Sequence, residues 1–228
     1  MANNFKNAVL RNISADSNLP TVIYAVPDTK KAIAIELDVS NKSSSGVTVT
    51  VQMEDESQNE TKDQTGTVVS VNAHVIGTVA TNTTGLLTTT ASAAHNLIVN
   101  DRVLFNVSSA PSFTDASLPP SAETALSVLR FYYVQSIPST TTFTIAETKS
   151  ATDPLSFDGA GSGVEFKKIH LADIVKDAPV PVGGALKVIA GQKVVLESAA
   201  AAANDKIYAY TSSASNVDVI ASVLEDVS

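Results

Sequence analysis

The chain has 228 residues, 44% of them hydrophobic and 17% charged, with a net charge of −8 and no cysteine. The missing cysteine excludes disulfides, zinc–thiolate centres and thiol nucleophiles, and the acidic balance argues against a surface built to neutralise phosphates. Thr, Ser, Val and Ala fill the place of charge, and Thr and Val suit pleated, half-buried strands, so the composition is that of a β protein.

The start, Met1 to Asn7, lacks the charged-then-apolar layout of a signal peptide, and no apolar run is long enough to span a bilayer. A soluble protein made in a cytoplasm is the expectation. Leu19–Pro27 reads as a short strand bounded by prolines, which suits a sheet edge. In Ala32–Val39, Ile33, Ile35, Leu37 and Val39 recur at period two, giving a half-buried strand. After the turn residues Asn41–Gly46, Val47, Val49, Val51 and Met53 alternate with Thr48, Thr50 and Gln52, which predicts a second strand and an antiparallel hairpin. Residues 54–66 are polar, acidic and aperiodic, and read as an exposed loop.

From about 74 to 164 the texture changes to Thr-rich segments with their own turns. Strands are predicted at Leu86–Thr90, Val103–Val107, Phe131–Ile137, Phe143–Ala146 and Val164–Phe166, and one helix at Ala122–Arg130 behind Pro120. The first style then resumes. Leu186–Glu197 predicts two short strands around Ala190–Gln192, and Ile207–Tyr210 pairs with Val217–Leu224 across Ser212–Ser215. Ala199–Ala203, with no flanking apolar stripe, reads as a surface excursion. The fold class is therefore all-β: an antiparallel, jelly-roll-like β-sandwich from residues 1–73 and 165–228, with a small β-barrel or sandwich, 74–164, inserted in it and projecting.

Chemistry is sparse. His74, His95 and His170 stand in no metal-ligand spacing. Gly161-Ser-Gly163 is followed by neither a helix nor a P-loop lysine and reads as a turn. Glu54, Asp55 and Glu56, with Glu60 and Asp63, do not repeat as a calcium loop requires and read as solvated. Phe131 and Tyr133 share one strand face and Tyr132 the other, as core packing would use them. Only Asp153, Asp158 and Glu165 lie close enough in sequence to suggest the paired carboxylates of a glycan-cleaving enzyme. No catalytic, metal or cofactor-binding residue is assigned, and a non-enzyme is expected.

Ile23–Pro27, Ile33–Val39, Ser45–Val51, Ala178–Gly184, Lys193–Glu197, Asp205–Ile207 and Val217–Glu225 together resemble a group of small virion structural proteins of tailed phages, marine and cyanobacterial ones among them. His95–Leu97, Asn100–Val103, Tyr132–Val134, Thr142–Ile145 and Gly161–Gly163 resemble a β module that recurs in phage particle proteins. Many such modules carry Gly where this chain has Asn100, and residues 108–130 are an elaboration. The resemblance implies a non-enzymatic virion subunit, an accessory of the neck, tail or baseplate, that homo-oligomerises and meets other virion proteins. A capsid decoration protein and a receptor- or glycan-binding fibre module are the alternatives, the last implying a host-surface glycan as partner. Neither membrane nor sequence-specific nucleic-acid binding is expected. The expected assembly contacts are Val47, Val49, Val51, Met53, Val217, Val219, Ile220, Val223 and Leu224. An exposed patch on the insert is expected at Asn100, Phe113 and Tyr132.

Overall fold

The computed structural model describes residues 4–56, 61–62, 68–70, 74–81, 84–90, 94–114, 123–200, 203–213 and 216–226. These form an all-β structure. The strands, in chain order, are β1 (Asn4–Leu10), β2 (Thr21–Ala25), β3 (Lys31–Asn41), β4 (Val47–Glu54), β5 (Thr61–Lys62), β6 (Val68–Ser70), β7 (His74–Val79), β8 (Leu87–Thr89), β9 (Arg102–Asn106), β10 (Ser112–Phe113), β11 (Tyr132–Ser139), β12 (Thr142–Ala146), β13 (Phe157–Gly159), β14 (Glu165–Ile169), β15 (Leu171–Val180), β16 (Ala185–Ala200), β17 (Ala203–Asn204), β18 (Lys206–Thr211) and β19 (Val217–Glu225). The chain divides into two compact units, Met1–Ser57 with His170–Ser228, and Gln58–Ile169.

The outer unit is an antiparallel sandwich. Sheet A runs β1-β19-β3-β16-β17 and sheet B runs β15-β4-β18-β2. Period-two alternation points Leu37, Val39, Val219, Ala221 and Val223 of sheet A at Val49, Val51, Ile207 and Ala209 of sheet B, all buried in one core. β2, with Pro20 and Pro27 beside it, lies at the edge of sheet B, as its prolines predict.

Two predicted hairpins do not form. β3 pairs with β19 and β16, whereas β4 pairs with β15 and β18. Likewise β18 lies in sheet B and β19 in sheet A. Each pair of sequence neighbours crosses the sandwich, because the same apolar alternation serves facing strands as well as adjacent ones. Asn41 helps to hold the first crossing. From the end of β3 its buried side-chain amide donates to the carbonyls of Ser45 (2.8 Å), Val180 (3.0 Å) and Pro181 (3.2 Å), and its oxygen accepts the Ser43 N–H at 2.9 Å. A side chain that caps both the turn and the end of β15 directs the chain to the opposite sheet. The predicted pair within Leu186–Glu197 is a single strand, β16, whose register shifts between Ala190 and Val194 around Gly191. β16 pairs antiparallel with the two-residue β17, with Ala200 opposite Ala203.

Glu54 and Glu56 overturn the reading of 54–66 as a solvated loop, since both are buried. Glu54 ends β4, accepting the Tyr208 hydroxyl at 2.6 Å and facing the Lys206 ammonium at 3.2 Å. Burial, with the neighbouring carboxylates Glu54 and Glu56, holds the Tyr208 hydroxyl protonated far above the usual tyrosine range. Residues 57–60 and 63–67, which include Glu60 and Asp63, lie outside the described residues.

The second unit contains a closed barrel, β11-β12-β8-β7-β14-β9, with β10 paired to β13 beside it. Phe105, Tyr132, Phe143 and Phe166 fill it, Phe143 and Phe166 meeting edge to face at 4.9 Å between centroids. β14 pairs with β9 and β7 and sends Phe166 into this core, so the domain boundary falls after Ile169 rather than at 164. On the other side it falls at Ser57 rather than at 73. Gly161 and Gly163 sit at φ +62° and +57° in a turn bridged to Ser109, and a Cβ on Gly161 would lie 2.4 Å from the Ser109 carbonyl.

Among the described residues 123–130 no helix forms. Ala125 bridges to Ser112, and the N–H of Leu126 donates to Pro111. Arg130 explains the departure. Its buried guanidinium meets the equally buried Glu147 at 2.7 Å and Glu123 at 3.2 Å, drawing the segment onto the barrel wall instead of leaving it to its helical spacing.

Both polar anchors are testable by chemical unfolding followed by circular dichroism. Asn41→Ala takes the side-chain donor from the buried Val180 carbonyl and lowers stability by about 1–3 kcal/mol. Glu147→Ala removes the fully buried partner of Arg130 and leaves it the Glu123 carboxylate at 3.2 Å, lowering stability by about 1–3 kcal/mol.

Candidate assembly surface

β1 is not legible as a strong strand in the sequence, since its apolar residues do not alternate cleanly. In the fold it pairs with β19 over seven consecutive residues. That register places Phe5, Asn7 and Val9 on the outer face of sheet A, with Lys6, Ala8 and Leu10 turned toward the core side.

Cross-strand pairs then build rows over the outer face. Phe5 lies opposite Leu224, Leu224 opposite Ile33, and Ile33 opposite Val195, so one apolar row crosses four strands. A second row starts apolar with Val9 and Ile220 and continues through Asp38 to Lys187. Between them run Asn7, Ser222 and Glu36, with the Ser222 hydroxyl donating to the Asn7 side-chain oxygen at 3.1 Å. Phe5 is 72% exposed, Val9 55%, Val195 53% and Ile220 47%. Large apolar side chains exposed together on one sheet face make this the candidate interaction surface.

The sheet edges differ in how they are guarded. β2 is short, flanked by prolines and irregular in register. β15 contains Pro179, two register shifts and Asp177 at φ +48°. β16 is broken around Gly191 and partly covered by β17. β1 has an unbroken register, no proline or glycine, and one charge. That charge, Lys6, is held by Glu225 at 2.6 Å, and Glu225 also accepts the Tyr24 hydroxyl at 2.8 Å. Burial and this carboxylate push the Tyr24 hydroxyl well above its ordinary range, so it stays a donor. Among the described residues, β1 is therefore the least protected edge.

Most residues expected to make assembly contacts do something else. Val47, Val49, Val51, Val217, Val219 and Val223 are buried within the sandwich's own core, and Met53 packs against it. The alternation that suggested a sticky face is satisfied inside the monomer by the opposing sheet. Only Ile220 and the half-buried Leu224 join the outer face.

The patch expected on the insert does not form either. Phe113 is buried against Phe157 at 5.4 Å, and Tyr132 lies inside the barrel, its hydroxyl accepting the Ser127 N–H at 2.9 Å. Apolar rings of a small barrel fill its interior before they serve a ligand. Asn100 is exposed, at φ +72° in the turn that closes Ile98 on Asp101, which accounts for the glycine that such a position favours. Phe131 and Tyr133 are buried on the other side of their strand, where the Arg102 guanidinium stacks 5.9 and 5.3 Å from their ring centres.

His95 is a structural residue. Its Nδ1 accepts the Leu97 N–H at 3.1 Å, so Nε2 carries the proton and donates to the carbonyls of Ser139 and Thr142 at 3.1 and 3.3 Å. His170 is exposed, and the His74 side chain lies outside the described residues. Asp153, Asp158 and Glu165 are engaged by different neighbours, Thr152, Ser112 and Asn106. No group of three or more metal-ligating side chains occurs among the described residues, and none of their helices is long and apolar enough to cross a membrane. Comparison with family models, curated proteins and solved structures finds no match for the chain.

Core and surface roles separate by substitution. Val219→Ala opens the sandwich core and lowers stability by roughly 2 kcal/mol. Phe5→Ser changes it by no more than about 0.5 kcal/mol, because the side chain is mostly in water already. Urea titration of the two variants beside the parent protein checks both values.

Proposed function

We propose that this protein is a non-enzymatic structural subunit of a tailed-phage virion, an accessory of the neck, tail or baseplate, that works by docking its outer sandwich into a larger assembly. The observation that carries the reading is the outer face of sheet A, where an apolar row from Phe5 to Val195 ends at the open β1 edge. A free-standing protein gains nothing from such a surface, whereas a subunit buries it against a neighbour. The outer and inner motifs that resemble phage particle proteins supply the choice of assembly. The low share of charged residues, 17% of the chain, suits a protein whose faces meet other subunits.

The glycan-binding reading loses its basis with Phe113 and Tyr132 buried, since a sugar platform needs aromatic faces open to solvent.

Quantitative peptide mass spectrometry of gradient-purified tailed-phage particles from the source of this sequence tests the proposal. The chain is expected in a fixed copy number per particle that survives high-salt washing. Its absence from particles, with abundant free protein in the infected-cell lysate, overturns the reading.

A further inference from the structure

We propose that β1 pairs antiparallel with β1 of a second copy, about a two-fold axis perpendicular to sheet A through Asn7. The inference rests on reading sheet A as an assembly face and names the partner that its open edge takes.

An isologous pair of antiparallel strands keeps the outer faces of both sheets on the same side, so each residue must meet one of the same facing. For Asn4–Leu10 the register centred on Asn7 engages all seven residues. It sets Phe5 beside Val9 of the partner subunit, Val9 beside the partner's Phe5, and Asn7 beside the partner's Asn7. The apolar row Val195–Ile33–Leu224–Phe5 then continues into the partner's Val9 and the partner's Ile220. Phe5 and Val9, both more than half exposed in the single chain, lose that exposure together.

Charge selects the same register. Shifting the centre to Lys6 would set two lysines directly opposite each other, and like charges there are destabilising. Shifting it to Ala8 would set Asn7 against Val9 and break the apolar row. With Asn7 at the centre, Lys6 meets the partner's Ala8, which is small, while its ammonium remains on Glu225 of its own chain. A lysine on the core side of an edge strand ordinarily guards that edge; here the carboxylate neutralises it and holds it along the sheet. The pairing thus brings no unpaired charge to the junction, although the whole chain carries −8.

The contact is small. Seven residues a side fall well short of the roughly 20–30 of a standard interface, so the isolated pair is weak and accumulates with concentration. A repeated arrangement of subunits would hold it by avidity.

The full chain contains no cysteine, so one introduced thiol reports the register without background. In the proposed pair the Asn7 Cα atoms face each other at about 4.5–5.5 Å, within disulfide reach, whereas two Phe5 positions lie four residues apart, on the order of 13 Å. N7C is expected to form a disulfide-linked dimer under mild oxidation at high protein concentration, and F5C and V9C, each alone, are not. Sedimentation of the parent chain from micromolar to millimolar should shift the mass from 23.7 kDa toward twice that value. F5E or V9K alone should weaken association by about tenfold or more, and the two combined should restore it, because each introduced acid then faces an introduced base.

A chain that stays monomeric over the whole range, or an N7C variant that cross-links no faster than F5C, overturns the pairing. Dimers unaffected by F5E and V9K overturn it too and assign association to another surface. None of these results bears on whether the chain resides in particles, which the mass spectrometry decides separately.

Discussion

The outer unit is governed by what period-two alternation does with its apolar face. Each long strand turns one face inward and the two sheets bury these faces against each other, with Leu37, Val39 and Val219 meeting Val49, Val51 and Ile207. In β3 a register shift at Ile35 replaces the expected Ile33 and Ile35 by Ala32 and Ala34 on the inner face. Once that is satisfied, only what remains on the outward faces and open edges is left for any partner. The crossing of β3 to β4 and of β18 to β19 follows from the same constraint, because strands that face each other across a core need not be hydrogen-bonded neighbours.

The polar groups sealed inside the molecule act as directors of the chain. Asn41 ties the β3–β4 turn to the end of β15. Arg130, between Glu147 and Glu123, lays an irregular segment against the barrel. His95 clips its own turn to the β11–β12 connection through both ring nitrogens. Residues that look like candidates for chemistry are thus consumed in satisfying buried backbone and charge, as low-dielectric surroundings demand. On the outer face of sheet A what is left is correspondingly plain: hydroxyls, a few ion pairs, and an apolar row that ends at β1.

That row ends at a sheet edge, and the described edges of the sandwich differ. Three edge strands of the sandwich carry proline, positive-φ residues or broken register. β1 carries a regular ladder and a lysine already bound to Glu225. Such asymmetry leaves one edge at which a neighbour can join, while the guarded edges suppress other pairings.

The sequence alone determined the fold class and most strands, because a two-residue apolar period admits little besides β structure, and it placed the proline-bounded β2 at an edge. It also marked the Thr-rich middle as a separate unit, although its boundaries lay five residues off on one side and sixteen on the other. Which strands pair was a tertiary decision, because alternation specifies a face and not a neighbour. So were the missing helix at 123–130, set by the Arg130 ion pairs, and the burial of Glu54, Phe113 and Tyr132. The apolar row on the outer face of sheet A was invisible in the linear pattern: it draws Phe5, Leu224, Ile33 and Val195 from distant parts of the chain, and only the register of four strands brings them side by side.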